Sequence, residues 1–258
     1  MLGFLRRRRR KNVGSKPLPQ RWWAIIDRRV PMIASMDDVD RRELGRIVQI
    51  LLDEKRFEGC GGLEMTDEIR VTIAAQAAVL LMHRQTDYYP TLKSILVYPA
   101  AYVGKTVRRN PDGTVTEGPQ GRLGESWFRG SLVLSWSDVL RGAADEHDGR
   151  NVVLHEFAHQ LDGQSGGMNG APLLGSPSRY RDWARVLGRE YAELTEALHR
   201  GHRTLIDPYG ATEPAEFFAV LTELFFEKPE ALRREHPELY KQLAGFYRRD
   251  AADVVQQP

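Results

Sequence analysis

Asn151-Val152-Val153-Leu154-His155-Glu156-Phe157-Ala158-His159-Gln160-Leu161-Asp162-Gly163 is the stretch on which the reading of this chain turns. Val153, Phe157 and Leu161 recur at i, i+4 and i+8, the apolar face of a helix. Asp148 or Asn151 suits its N-cap, and Gly163 follows its last turn. His155 and His159 then share one face, so both imidazoles can address a single metal ion. Glu156, beside the first histidine, is placed to take a proton from a water at that metal. This HExxH pattern is the signature of zinc-dependent peptide hydrolysis. The plain alternative is a buried amphipathic helix with hydrogen-bonded histidines. It must find partners for three polar side chains in an apolar helix.

The rest of the composition narrows the class. A chain of 258 residues with 41% apolar content suits one large domain, or one with a small appendage. The net charge of +2 is unevenly spread: residues 1–29 hold ten Lys/Arg and one Asp, a net of +9, which leaves −7 on the remainder. A mildly acidic body argues against specific nucleic-acid binding, which needs a basic face on the domain itself. Cys60 is the only cysteine, so neither an internal disulfide nor a thiolate zinc site can form, and any zinc must be held by His and carboxylate. No apolar run reaches the ~18 residues of a membrane span; Thr72 to Met82 comes nearest and contains Gln76. Leu2, Phe4 and Leu5 before the arginine run are too few for a secretory signal. A cytoplasmic location is the expectation.

Along the chain, residues 1–20 read as a basic flexible arm, with Arg6 to Arg10, Lys11, Gly14, Pro17 and Pro19. Weak contact with an anionic membrane surface or RNA, helped by Trp22 and Trp23, is its sharper reading. Residues 21–258 read as a single domain, with a helical part over 21–90 and a catalytic part over 91–258. Helices are expected over 38–56, over Thr66 to His83 with Thr66 as cap, over 178–199, over Glu213 to Phe226 and over Pro237 to Arg249. Ile95 to Tyr98 and Ser131 to Trp136 read as strands, the second a candidate sheet edge for an extended peptide. Arg108 to Gly121 is polar, with a turn at Asn110-Pro111-Asp112-Gly113. Gly163 to Ser178 reads as a loop, either a lid over the site or a long connector. Many helices and few strands give an α+β class.

A hydrolytic zinc site takes three protein ligands and leaves one position open. An extension of the motif on the same segment fails here, because Asp162 replaces the required glycine and Ser165 stands where the last ligand belongs. A glutamate on a later helix remains. Glu190, Glu193, Glu196, Glu213, Glu216 and Glu223 are the candidates. Glu216 is the strongest, because it lies among Phe217, Phe218 and other apolar residues where an unpaired carboxylate is costly. Glu223, two turns on, suits a partner that orients a histidine. The competing role for Glu216 is a first-turn glutamate stabilised by the helix dipole after Pro214.

His155-Glu-Phe-Ala-His-Gln-Leu-Asp-Gly163, followed by Asp207-Pro-Tyr-Gly-Ala-Thr-Glu-Pro-Ala-Glu-Phe-Phe218, resembles the Mlc titration factor A family of zinc metallopeptidases. The resemblance runs from about residue 20 to 250. It implies a gluzincin-type site with His155, His159 and Glu216 as ligands of one Zn²⁺, Glu156 as general base and Tyr209 as an active-site phenol. It also implies a mainly helical zincin-type core with a small sheet, similar to the catalytic core of anthrax lethal factor. The implied activity is aminopeptidase-like, on peptide or protein substrates. The implied partner is a transcriptional repressor, since the family's namesake binds the repressor Mlc. A non-catalytic titration protein that retains a zinc site is the competing function; an intact Glu156 speaks against it.

Overall fold

The computed structural model describes residues 2–84, 86–100, 105–109, 115–119 and 130–252. Over these the chain is mainly helical with a small sheet, as the α+β class requires. The N-terminal part holds α1 (Leu2–Gly14), α2 (Gln20–Arg29), α3 (Asp38–Glu54), β1 (Arg56–Gly59) and α4 (Asp67–Val79). Then come β2 (Ser94–Tyr98), β3 (Lys105–Arg109), β4 (Val115–Pro119), β5 (Ser131–Ser135) and α5 (Trp136–Ala144). The last part holds α6 (Val152–Asp162), α7 (Pro177–His199), α8 (Pro214–Glu227), α9 (Pro229–Glu235) and α10 (Pro237–Tyr247).

β1, β2 and β5 form a parallel sheet in the order β1-β2-β5, with Ile95 opposite both Phe57 and Leu132. Ile95, Val97, Leu132 and Leu134 alternate into the core, the period-2 pattern of strands. Among the described residues β5 is therefore an edge strand. β3 and β4 pair as an antiparallel two-stranded sheet where only a polar turn-rich segment was expected. The Asn110–Gly113 turn itself lies outside the described residues.

Caps set the starts of the expected helices. Asp37 accepts from the amides of Val39 and Asp40 at the head of α3, and Thr66 accepts from that of Ile69 at the head of α4. The alanines of α4 leave it buried from Val71 to Val79 and let α2, α3 and α6 close on it. Buried among them, Gln76 accepts a 2.8 Å bond from Asn151 Nδ2, which ties α4 to the start of α6.

The stretch expected as a flexible arm is here largely the helix α1, packed on α3. Arg6 and Arg10 both reach Glu54, Arg9 reaches Asp53, and Arg10 also pairs with Asp87. Trp22 and Trp23 are likewise committed to the fold: the Trp22 indole donates to Asp67 at 2.8 Å, and Arg41 sits over the Trp23 ring at 4.5 Å. No helix among the described residues is long and apolar enough to cross a membrane.

Candidate metal centre

α6 begins where Asn151 accepts from the amides of Val153 and Leu154, both at 3.1 Å. The cap is therefore Asn151 and not Asp148, whose carboxylate accepts from the Arg150 amide. Val153, Phe157 and Leu161 enter the core and leave His155 and His159 on the face toward α8. From α8, Glu216 Oε2 stands 2.9 Å from His155 Nε2 and 3.4 Å from His159 Nε2. The three ligand atoms all lie within 4.8 Å of one another.

Two further contacts hold the pair of helices in register. Gly170, in the loop after α6, has φ +75, and a Cβ there would come within 2.3 Å of the Pro214 carbonyl oxygen, so only glycine fits. Its amide donates to buried Asp162 at 2.8 Å, and its carbonyl accepts from the Trp183 indole at 2.8 Å. Asp162 thus spends one carboxylate oxygen on the loop after α6. It fastens the loop that runs past the first residue of α8.

Glu223 turns His155. Its Oε1 accepts from His155 Nδ1 and its Oε2 accepts from the Asn151 amide at 3.1 Å. A carboxylate on Nδ1 holds a hydrogen there and directs Nε2 toward the centre, the arrangement that supports metal-binding histidines. Burial works against a charged imidazole, but the hydrogen bonds to Glu216 and Glu223 override it and lift His155 to about 10. Burial alone would raise Glu216; its bonds with His155 and His159 bring it down to about 2. A cation at the shared point would take the place of the proton on His155 Nε2.

Glu156 points from the same helix and is 4% exposed, with one oxygen, Oε2, that meets no hydrogen-bond partner. Burial pushes it up to about 7; the charges of Glu216 and Glu223 add to that and His155 opposes it. A carboxyl that titrates near neutral pH suits proton transfer. Tyr209 stands in a short 3-10 turn, Pro208–Ala211, with its ring centroid 6.0 Å from that of His155. It is 54% exposed. Burial of the phenol, then the charges of Glu216 and Glu156, push it up to about 12, so it keeps its proton.

The structure brings His155, Glu156, His159, Glu216 and Tyr209 together. The competing glutamate Glu190 is engaged elsewhere, with His236 and Arg189. Asp207 is a positioning residue that sequence reasoning passes over. It accepts from the Tyr209 amide at 2.9 Å and from Arg150 at 2.7 Å, so it couples the tyrosine turn to the residue just before the α6 cap. An Asp before Pro-Tyr-Gly is the signal that marks it. Two imidazoles and one carboxylate, without a thiolate, make a zinc donor set of the kind that leaves a position for water. The unpartnered Glu156 oxygen is what such a position needs beside it.

The family model described as glucose-regulated metallo-peptidase M90 matches residues 4–248. An uncharacterized protein of Synechocystis sp. is 43% identical over 241 residues, 93% of this chain and 87% of the relative. Mlc titration factor A of Yersinia pestis and of Yersinia pseudotuberculosis is 31% identical over 229 residues, 86% of this chain and 82% of the relative.

Proposed function

The chain belongs to the glucose-regulated metallo-peptidase M90 family, and on that premise we propose that it is a zinc-dependent peptidase of gluzincin type. The observation that carries this reading is the convergence of His155, His159 and Glu216 on one point beside the unpartnered Glu156 oxygen. A bound zinc ion supplies Lewis acidity, which lowers the pKa of a water from ~15.7 toward ~7 and polarises a carbonyl.

The chain's own residues do the rest. His155 and His159 bind through Nε2 and Glu216 through its carboxylate. Glu223 keeps the hydrogen of His155 on Nδ1. Glu156 takes the proton of the attacking water and passes it to the leaving amine. The Tyr209 hydroxyl donates to the oxyanion that develops on the carbonyl oxygen. An extended peptide adds to the edge of β5 by backbone hydrogen bonds. Aminopeptidase-like action, cytoplasmic residence, a core like that of anthrax lethal factor and a transcriptional repressor as partner belong to the same reading. Aminopeptidase-like action rests on the resemblance and on Glu156, and cytoplasmic residence and the lethal-factor-like core rest on the resemblance alone; the repressor rests on the name of the Yersinia relatives. The outward face of α1, with Phe4, Leu5, Arg7, Arg8 and Lys11 exposed, is suited to weak contact with an anionic membrane surface.

The decisive test is hydrolysis of a mixed peptide library by zinc-loaded wild type, Glu156→Gln and Tyr209→Phe side by side. Wild type should cleave. Glu156→Gln should lose about 10²–10⁴-fold while keeping its metal, and Tyr209→Phe should lose about 10²–10³-fold in kcat. Equal background from all three, with zinc bound, would replace the peptidase with a titration protein that binds a regulator and keeps zinc for structure.

A further inference from the structure

A cavity of about 730 Å³ lies between α1, the segment that follows α4 and the loop after α6. Arg6, Arg7, Arg10 and Arg84 line it, and Asp87 is the one acid among the described residues of that lining. Two of the four guanidiniums are answered: Arg6 and Arg10 pair with Glu54 and Asp87, so two cations meet two carboxylates. Arg7 and Arg84 enter no ion pair among the described residues. They leave the cavity with two unanswered positive charges.

Arg84 is the one whose position calls for a partner. Its guanidinium lies 4.0 Å over the Phe246 ring, and Nη1 donates to the Leu80 carbonyl at 3.4 Å. Nε and Nη2 meet no acceptor among the described residues, yet neither is sealed from solvent, so both remain open to a ligand. Burial holds Arg84 below its ordinary value, and the charges of Arg248 and Arg179 push the same way. A half-buried cation among other cations has lost part of its hydration and gained no counter-charge. A ring face offsets only part of that cost. Arg7 joins the lining from α1 and is exposed.

The chemistry of the missing partner follows from these charges. A cation or a neutral molecule leaves both arginines as they are. A carboxylate cancels one charge and leaves the other. A phosphate monoester carries about two negative charges at neutral pH, and its oxygens match the planar forks of guanidinium groups. The volume lies within the range of small-ligand pockets, about 300–1,000 Å³, and exceeds what a bare phosphate ion fills. Pro90 and Leu173 offer the rest of the ligand apolar surface. We propose that this cavity binds a phosphate monoester, with its phosphoryl group against Arg84 and Arg7.

None of the lining belongs to the metal centre, so the test stands apart from the peptidase reading. Phenyl phosphate is titrated by calorimetry into the zinc-loaded full chain at low salt. Saturable binding is expected, and it should weaken as salt is added. Arg84→Gln and Arg7→Gln should each weaken it at least about tenfold, the loss of one charge-assisted contact. Arg84→Lys keeps the charge but not the fork and should fall between. Arg8→Gln, on the same helix but outside the lining, and His159→Ala should leave binding unchanged. Because Arg7 is exposed, its replacement tests the site even where Arg84→Gln disturbs the packing on Phe246. Phenylacetate, with a single negative charge, should bind at least about tenfold more weakly. Vesicles of phosphatidylcholine with phosphatidic acid present the same group on a membrane; competition with phenyl phosphate would name a lipid as its source, and no competition a free monoester. Absence of phenyl phosphate binding overturns the proposal, and vesicle binding in that case would place the attraction on the outward face of α1. So does equal affinity for phenylacetate, or binding that survives Arg84→Gln and Arg7→Gln but is lost with His159→Ala, which would put the phosphate at the metal centre.

Discussion

Glu54 on α3 and Glu216 on α8 are both held at about 2 by basic side chains from another helix, and both are similarly sheltered, at 12% and 14% side-chain exposure. Their partners differ. Glu54 is met by Arg10 at 13% exposure and Arg6 at 39%, and Arg10 is shared with Asp87 at 56%, so one side of that cluster opens to solvent. Glu216 is met by His159 at 2%, and His155 brings in Glu223 at 9%. A guanidinium is always charged and has no lone pair to give, so the α1–α3 cluster is complete as it stands. An imidazole can exchange its proton for a metal ion. A depressed carboxylate pKa therefore does not by itself mark a functional site; the lone pairs of its partners do.

The largest expected effect separates the two clusters outright. His159→Ala removes one ligand and should abolish tight zinc binding, measured as bound metal per chain after dialysis. Chelation should then destabilise wild type by about 4 kcal/mol relative to protein in free zinc a thousandfold above its Kd. The variant should not respond to chelator at all. Charge changes in the α1–α3 cluster should leave metal content untouched. If His159→Ala retains full metal, the ligand set is misassigned.

Next in size is Glu223→Gln. The amide can still accept from the Asn151 amide, so the cap of α6 is kept, but the negative charge behind His155 is lost. Zinc affinity should fall about 10–100-fold, as for other partners of metal-binding histidines. Competition against a chelating dye measures it. An unchanged affinity would mean that Glu223 serves the fold of α8 and not the metal.

How much of this is legible in the sequence depends on how far apart the partners lie. His155, Glu156 and His159 fall within one helical turn and announce themselves by spacing. Glu216 is legible for a different reason: a carboxylate among Phe217, Phe218 and Val220 demands a buried partner. The caps Asp37, Thr66 and Asn151 are local, and so α3, α4 and α6 begin where they were expected. α1 reads as an arm because Glu54 and Asp87, its anchors, are 44 and 77 residues from Arg10 and leave no periodic trace. β1, only four residues long, exists because β2 offers it a parallel edge, which no local pattern encodes.

The smallest effect belongs to the α1–α3 cluster, where pH and salt sharpen the contrast. Burial opposes ionisation of Glu54, but hydrogen bonds from Arg10 and Arg6 outweigh it and take the carboxyl from 4.5 to about 2. A carboxyl depressed on folding stabilises fully above its unfolded value, near 4.5, and that contribution disappears as pH falls from there through about 2. The Arg6 pair, with Arg6 at 39% exposure, is worth about 0–1 kcal/mol, and the more sheltered Arg10 pair, at 13% and 12%, lies at the top of that range; both weaken with salt. Replacing Arg6 and Arg10 together by Gln should therefore lower stability by roughly 1–2 kcal/mol in urea titrations at neutral pH and low salt. The difference from wild type should shrink in high salt and on acidification through that window. Trypsin should cut after Arg7 to Arg9 faster in the variant, because α1 has lost its hold on α3. If cleavage is equally fast in wild type, those arginines do not anchor α1, and Glu54 owes its sheltered environment to α3 alone.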